Sequence, residues 1–446
     1  MNRISLTANP RLNRLLVMRW PQWTILLVML AGFLFAILAG FIGTPVGSRN
    51  FGIVFVWIAW WAALILAAVP LLGRGWCSIC PIPLPGEWLQ RGRLLGPGTV
   101  GARRLHRWPR ALRNIWLQNL AFTLLALFSP LILTDPFVTS VILLAMLALA
   151  ILMSLVFERR AFCRYLCPVG GFIGLYSQGA PIELRIRERE VCLQCKSKAC
   201  YNGSEQGYGC PWDVFPGGLE KNTYCGLCLE CLRTCPSNNL SINLRPLGTD
   251  LEKPSARLDE ALKSFIMLGS AMIYAGVLLG PWGFLKHAAY EIGSGPWLFY
   301  SAAFTSIIFL ILPGAYWLSI KLGAAVKRIK MPGKKAFSEI SSSLIPLGLA
   351  FWIAFSLSFV LSNASYILMT LSDPFGWGWN LFGSASMTWK PVLTWLAAPL
   401  QTLVLTGGLV WSSNLAVKNM SRHGLAYIPT IVYMLIVTLM MGWLLL

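Results

Sequence analysis

All twelve cysteines of this 446-residue chain fall between Cys77 and Cys235. Clustering of that kind marks sites, not scattered core thiols. The tightest run is Cys225-x2-Cys228-x2-Cys231-x3-Cys235-Pro236. Three thiolates on one tight loop can take three corners of an iron–sulfur cubane. The fourth cysteine of such a run, next to proline, ligates the other cluster of a two-cluster unit. A zinc site more often shows two CxxC pairs separated by a longer spacer. The partner half runs Cys192-x2-Cys195-x4-Cys200 and then, after a glycine-rich insert from Asn202 to Gly209, Cys210-Pro211. By the crossing rule, Cys192, Cys195, Cys200 and Cys235 hold one [4Fe–4S] cluster, and Cys210, Cys225, Cys228 and Cys231 hold a second. Crossing joins the two halves, so ligation can replace a missing apolar core.

The other four cysteines form two pairs, Cys77-Ser-Ile-Cys80-Pro81 and Cys163-Arg-Tyr-Leu-Cys167-Pro168. Each pair follows an apolar run and has arginine beside it: Arg74 for the first, Arg159, Arg160 and Arg164 for the second. The pattern reads as an internal repeat of helix hairpin plus Cys-Pro motif. Four thiolates are the usual ligand set of one cubane, so Cys77, Cys80, Cys163 and Cys167 are expected to hold a third [4Fe–4S] cluster. Two other readings stay open. Basic surroundings lower thiol pKa and suit a thiol–disulfide couple, and Pro81 and Pro168 could simply end helices.

These residues must be positioned by membrane helices. The chain is 56% hydrophobic and 12% charged, against about a quarter charged in soluble proteins, with a mean hydropathy of +0.63. Nine apolar windows could each span a bilayer: 20–44, 51–72, 114–134, 136–157, 264–285, 297–320, 344–371, 391–413 and 427–446. The first is read as a retained anchor, being too long for a signal-peptide core. The expected fold is therefore mainly α, a polytopic helical protein of about nine spans with a cytoplasmic ferredoxin-like domain. Three regions follow: 1–157 with four helices and the first Cys-Pro pair, 158–263 with the second pair and the two-cluster module, and 264–446 with five helices.

The net charge of +20 sits in loops. Arg3, Arg11, Arg14 and Arg19 precede the first window. Arg74, Arg91, Arg93, Arg103, Arg104, Arg107, Arg110 and Arg113 follow the second. Lys321, Lys327, Arg328, Lys330, Lys334 and Lys335 follow the sixth, and Lys418 and Arg422 the eighth. Threading nine helices puts all four segments on one side, which the positive-inside rule makes the cytoplasm. The N-terminus and the iron–sulfur region are then cytoplasmic, and the C-terminus is outside. A reducing compartment argues against disulfides in the module. Nucleic-acid binding is set aside, because no soluble basic domain exists to do it.

His106, His287 and His423 all lie outside the windows and no CxxCH occurs, so neither intramembrane bis-His haem nor c-type haem is expected. The windows contain no charged residue, which speaks against a proton or ion relay. Their polar residues Gln118, Asn119, Asn363 and Gln401 suit interhelical hydrogen bonds, a quinone headgroup contact being the alternative. Trp377, Trp379 and Trp389 in the 372–390 loop suit interfacial anchoring or the docking of an outer-face partner. No GxGxxG or P-loop pattern lies in 158–263, so no nucleotide cofactor is expected.

Two hairpins with Cys-Pro pairs, followed by a double [4Fe–4S] module, resemble the membrane polyferredoxins of the NapH, NosR and CcoG type over residues 20 to 245 or so, most specifically in Cys163–Pro168 and Cys225–Pro236. The resemblance implies a prokaryotic cytoplasmic membrane and electron passage between a quinol or cytoplasmic donor and a partner reductase. The chain departs from the pattern in the two-residue gap of Cys77–Cys80, where the family usually has three, and in its five further helices. No flavin-binding outer domain, as in NosR members, precedes the first window. The expected function is an iron–sulfur electron-transfer subunit of a membrane oxidoreductase complex, partnered by other subunits and by quinone. An iron–sulfur assembly or metal-handling factor, and a transporter with a regulatory cluster domain, are the alternatives.

Overall fold

The computed structural model describes residues 3–92, 105–330 and 333–445. Arg93, Arg103 and Arg104 of the basic loop, and Leu446 of the last window, lie outside the described residues. The protein is mainly helical. Among the described residues, eight helices are long and apolar enough to cross a membrane: Trp20–Ile42, Phe51–Ser78, Pro136–Val156, Leu258–Leu279, Gly295–Val326, Lys334–Asn363, Thr394–Arg422 and Ile428–Leu445.

The third window differs from a single straight helix. It forms Trp116–Leu127, breaks at Phe128, and resumes as Ser129–Ile132. Pro130 accounts for it: it offers no N–H to continue the helical hydrogen bonding. Among the described residues the count is thus eight long helices and one short, broken one.

The helices also outrun the apolar windows. Leu258–Leu279 begins six residues early and carries Asp259, Glu260 and Lys263, all buried. The uncharged windows therefore understate the polarity of the helices, because backbone hydrogen bonding continues past the point where side chains turn polar.

The chain divides into two compact units, each of three segments. The first comprises Met1–Phe35, Ala67–Gln118 and Ile142–Asp250; the second Ala36–Leu66, Asn119–Val141 and Leu251–Leu446. In the first, strands β1 (Ile4–Ser5), β2 (Ile182–Ile186) and β3 (Leu240–Leu244) form an antiparallel sheet in the order β1-β3-β2. Ile182 pairs with Leu244 and Ile186 with Leu240, so the two ends of the cysteine-rich module are fastened together.

Alternation along β2 sends Leu184 into a small core with Leu219, Leu232, Leu240 and Ile242, in which Cys200 and Cys231 also sit. The intervening Glu183 and Arg185 join a buried ion cluster with Arg245 and Asp250. Asp250 also accepts from the Asn222 backbone N–H at 2.6 Å, which fixes the turn leading into Cys225. Paired and hydrogen-bonded burial of this kind is the condition under which interior charge is tolerated.

The second unit packs around Trp352, whose indole donates to the Met267 carbonyl at 3.0 Å and whose ring meets Phe122 and Tyr274 edge-on. Small residues let its helices approach closely: a Cβ at Gly408 would come within 2.4 Å of the Ala350 methyl. Lys263 lies 4.5 Å from the centre of the Phe122 ring. In the 372–390 loop, Asp373 accepts from the Trp377 and Gly378 backbone N–H groups, Phe375 and Trp377 stack, and Trp379 meets both rings edge-on.

Candidate iron–sulfur site

The Cys163–Cys167 segment is wound as a single wide turn, with the Cys167 N–H donating to the Phe162 carbonyl five residues back at 2.9 Å. Such π turns recur at functional sites. Pro168 then opens the helix Pro168–Tyr176, and Cys167 caps it, its Sγ accepting from the Gly170 N–H at 3.3 Å. A helix N-terminus favours negative charge, so a thiolate is stabilised there. The Cys77 segment is a tight helical turn over Gly73–Ser78. Gly73 has φ +56°, and a Cβ there would lie 2.9 Å from Ser177 and 3.0 Å from Ala180. The bare backbone is what lets the two Cys-Pro segments approach.

They are also locked reciprocally. Arg74, three residues before Cys77, donates to the Cys163 carbonyl at 3.2 Å. Arg160, three residues before Cys163, donates to the Cys77 carbonyl at 2.9 Å. Both arginines are buried, and Arg160 is charge-paired with buried Glu87. Removing one partner of such a pair typically costs about 3–5 kcal/mol. Gln118 adds a hydrogen bond to the Cys163 carbonyl at 3.2 Å.

The four thiols of the two segments feel one another. Burial pushes the Cys80 thiol up, and the neighbouring Cys77 and Cys167 add to it. Burial raises Cys163 strongly, with further contributions from Cys167, Cys80 and Cys77 against the opposing charge of Arg160. Burial pushes Cys167 up to about 11, eased by the Gly170 N–H.

The eight module cysteines are brought together in two fours. Cys210, Cys225, Cys228 and Cys231 line one small pocket, walled by Leu184, Trp212, Val214, Pro216, Leu219, Tyr224 and Leu229. In the other four, Asn239 joins the two motifs: its side chain donates to Cys192 Sγ and its backbone N–H to Cys235 Sγ, each at 3.3 Å. Burial pushes Cys200 up to about 11, and Cys235, Cys192 and Cys195 contribute in that order. Buried thiols of this kind hold protons at neutral pH, and a metal must displace them to bind. Among the described residues, no three His, Cys, Asp or Glu side chains are set to hold a single metal ion. Soft thiols in fours fit the donor chemistry of a [4Fe–4S] cluster.

The second Cys-Pro segment is tied directly to the module. Arg159 donates to the Cys210 carbonyl at 2.7 Å, Arg164 to the Asp213 carbonyl at 2.7 Å, and the Arg160 N–H to the Pro211 carbonyl at 2.9 Å. Glu87, Asn239 and Trp212 were not among the residues singled out from spacing. They belong to no motif, and only the Trp212 position, two residues after Cys210, carried any signal.

The fold and these thiol sets define a multi-pass membrane protein of the iron–sulfur class. Known proteins agree. A 4Fe-4S binding domain family matches residues 53–103 and 139–185, so each matched segment contains one Cys-Pro pair, while Cys192 to Cys235 lie beyond them. Over 142 residues, 31% of this chain and 34% of the relative, the sequence is 29% identical to the putative electron transport protein YccM of Escherichia coli (strain K12). It is 31% identical over 156 residues to the methylamine utilization ferredoxin-type protein MauN of Methylorubrum extorquens, covering 31% of this chain and 50% of that one. The Paracoccus denitrificans MauN is 30% identical over 158 residues, 31% of this chain and 52% of that protein. The matched stretch thus spans a third to about half of these relatives. No solved structure matches. The similarity is that of a membrane polyferredoxin-type family and supports an iron–sulfur electron-transfer role.

Proposed function

We propose that the protein is a membrane electron-transfer subunit with three [4Fe–4S] sites, one for each group of four cysteines. The observation that carries the reading is the division of all twelve thiols into three such groups. The crossed pattern of the module supports its two sites. The family match to both Cys-Pro segments supports the third. Bound clusters supply one-electron exchange. The chain's own residues hold them, exclude water with the walls around Cys225 and Cys231, and offset thiolate charge with Arg74 and Arg160.

The protein is read as lying in a prokaryotic cytoplasmic membrane with the module and N-terminus inside and the C-terminus outside, on the strength of loop charge. A reporter active only in the cytoplasm, fused at the C-terminus, is expected to be silent. Activity from it would reverse the assignment.

Electrons entering the module need an exit. The chain is therefore expected to work with further subunits, docked on the helices beyond residue 264 or the Trp377–Trp389 loop, and with quinone as donor or acceptor. The purified chain alone, mixed with quinol or quinone in detergent, is expected to exchange electrons far more slowly than native membranes. Equal rates would sink the complex.

A further inference from the structure

Trp212 is 2% exposed, and among the described residues its indole nitrogen has no hydrogen-bond partner. A buried N–H left without an acceptor is costly, and native proteins rarely keep one unless something unseen accepts from it. The edge carrying that nitrogen lies against the cysteine loop: a Cβ on Gly226, between Cys225 and Cys228, would come within 2.1 Å of Trp212 Nε1. Trp212 also forms part of the wall of the cavity that Cys210, Cys225, Cys228 and Cys231 line. Two buried guanidinium groups attend the ring, Arg74 at 4.3 Å from its centre and Arg160 at 5.8 Å. A cation over an indole is held by the π electrons, and by polarising them it makes the N–H a better donor.

We propose that the Trp212 indole N–H donates to a sulfur of the cluster held by Cys210, Cys225, Cys228 and Cys231, and thereby raises its reduction potential. The inference rests on the cluster assignment under Proposed function. Reduction places one electron, taken from the reductant, on the cluster. A donor aimed at its sulfurs stabilises that more negative state, and such hydrogen bonds are a known lever on potential.

The test uses the full-length protein, purified anaerobically and titrated with a chemical reductant while its EPR signals are followed. Trp212→Phe keeps a ring against Gly226 and removes the N–H. Iron content is expected to stay at the wild-type level. The reduction equilibrium of this one cluster should shift about tenfold toward the oxidised form, which is 59 mV for one electron. An unchanged potential with iron retained overturns the proposal. A second measurement needs no variant. In wild-type protein labelled with ¹⁵N at the indole, the reduced cluster should show a nitrogen hyperfine coupling, and its absence overturns the proposal even if Trp212→Phe does not fold. Wild-type protein that lacks this cluster overturns the assignment itself and the inference with it.

Discussion

Replacing Cys235 with serine should remove the cluster of Cys192, Cys195 and Cys200 and leave that of Cys225, Cys228 and Cys231 largely in place. Neighbourhood in sequence argues the opposite, since Cys235 is four residues from Cys231 and 35 from Cys200. Neighbourhood in space favours the crossed set. Asn239 hydrogen-bonds Cys235 Sγ with its backbone and Cys192 Sγ with its side chain. The Cys200 thiol feels Cys235 more strongly than it feels Cys192 or Cys195. Cys210 fills the fourth place beside Cys225, Cys228 and Cys231. Iron should fall by about four per chain, the content of one cubane, and one of the module's two EPR signals should vanish. Loss of the Cys225 cluster alone would show the ligand sets to be uncrossed. Cys210→Ser is the mirror experiment and should strike the other signal.

The second large effect concerns the membrane-proximal pairs. Iron analysis of the anaerobically purified chain should give about twelve atoms, falling to about eight in the double variant Cys77→Ser/Cys163→Ser, at four per cubane. The two pairs come from segments 86 residues apart, yet each is hydrogen-bonded through its arginine to the first cysteine of the other. The positive charge of Arg74 and Arg160, held next to these thiols, offsets that of a thiolate-bound cluster. The competing chemistry is a thiol–disulfide couple, for which the same arginines would lower thiol pKa. Burial instead raises the thiols of Cys80, Cys163 and Cys167. About eight irons in both proteins, with thiols titrating as a disulfide couple, would reject the third cluster.

What the sequence by itself determined was local. Hydropathy alone names a polytopic helical membrane protein, because a 20-residue apolar run has few other places to go. The spacing from Cys225 to Pro236 names iron–sulfur chemistry, because three thiolates at those intervals can reach one cubane from a single loop. The break at Phe128 was also written locally, in Pro130, but a hydropathy window averages over it. Charge at helix ends was missed for a related reason: windows stop where side chains turn polar, while the Leu258–Leu279 helix continues through Lys263.

The tertiary structure alone decided the rest, since it depends on contacts between residues far apart in the chain. Nothing in the sequence pairs Arg74 with the Cys163 carbonyl 89 residues away, or Arg160 with the Cys77 carbonyl 83 residues away. Asn239 belongs to no motif, and it matters because the β2–β3 pairing brings it beside Cys192. Trp212 reads as one of twenty tryptophans until its unpartnered N–H is found against Gly226. Motif spacing specifies which atoms one short loop can present. Which loops meet, and which buried groups are left to tune what they hold, is set by packing, where each group must find a partner or bear the cost of desolvation.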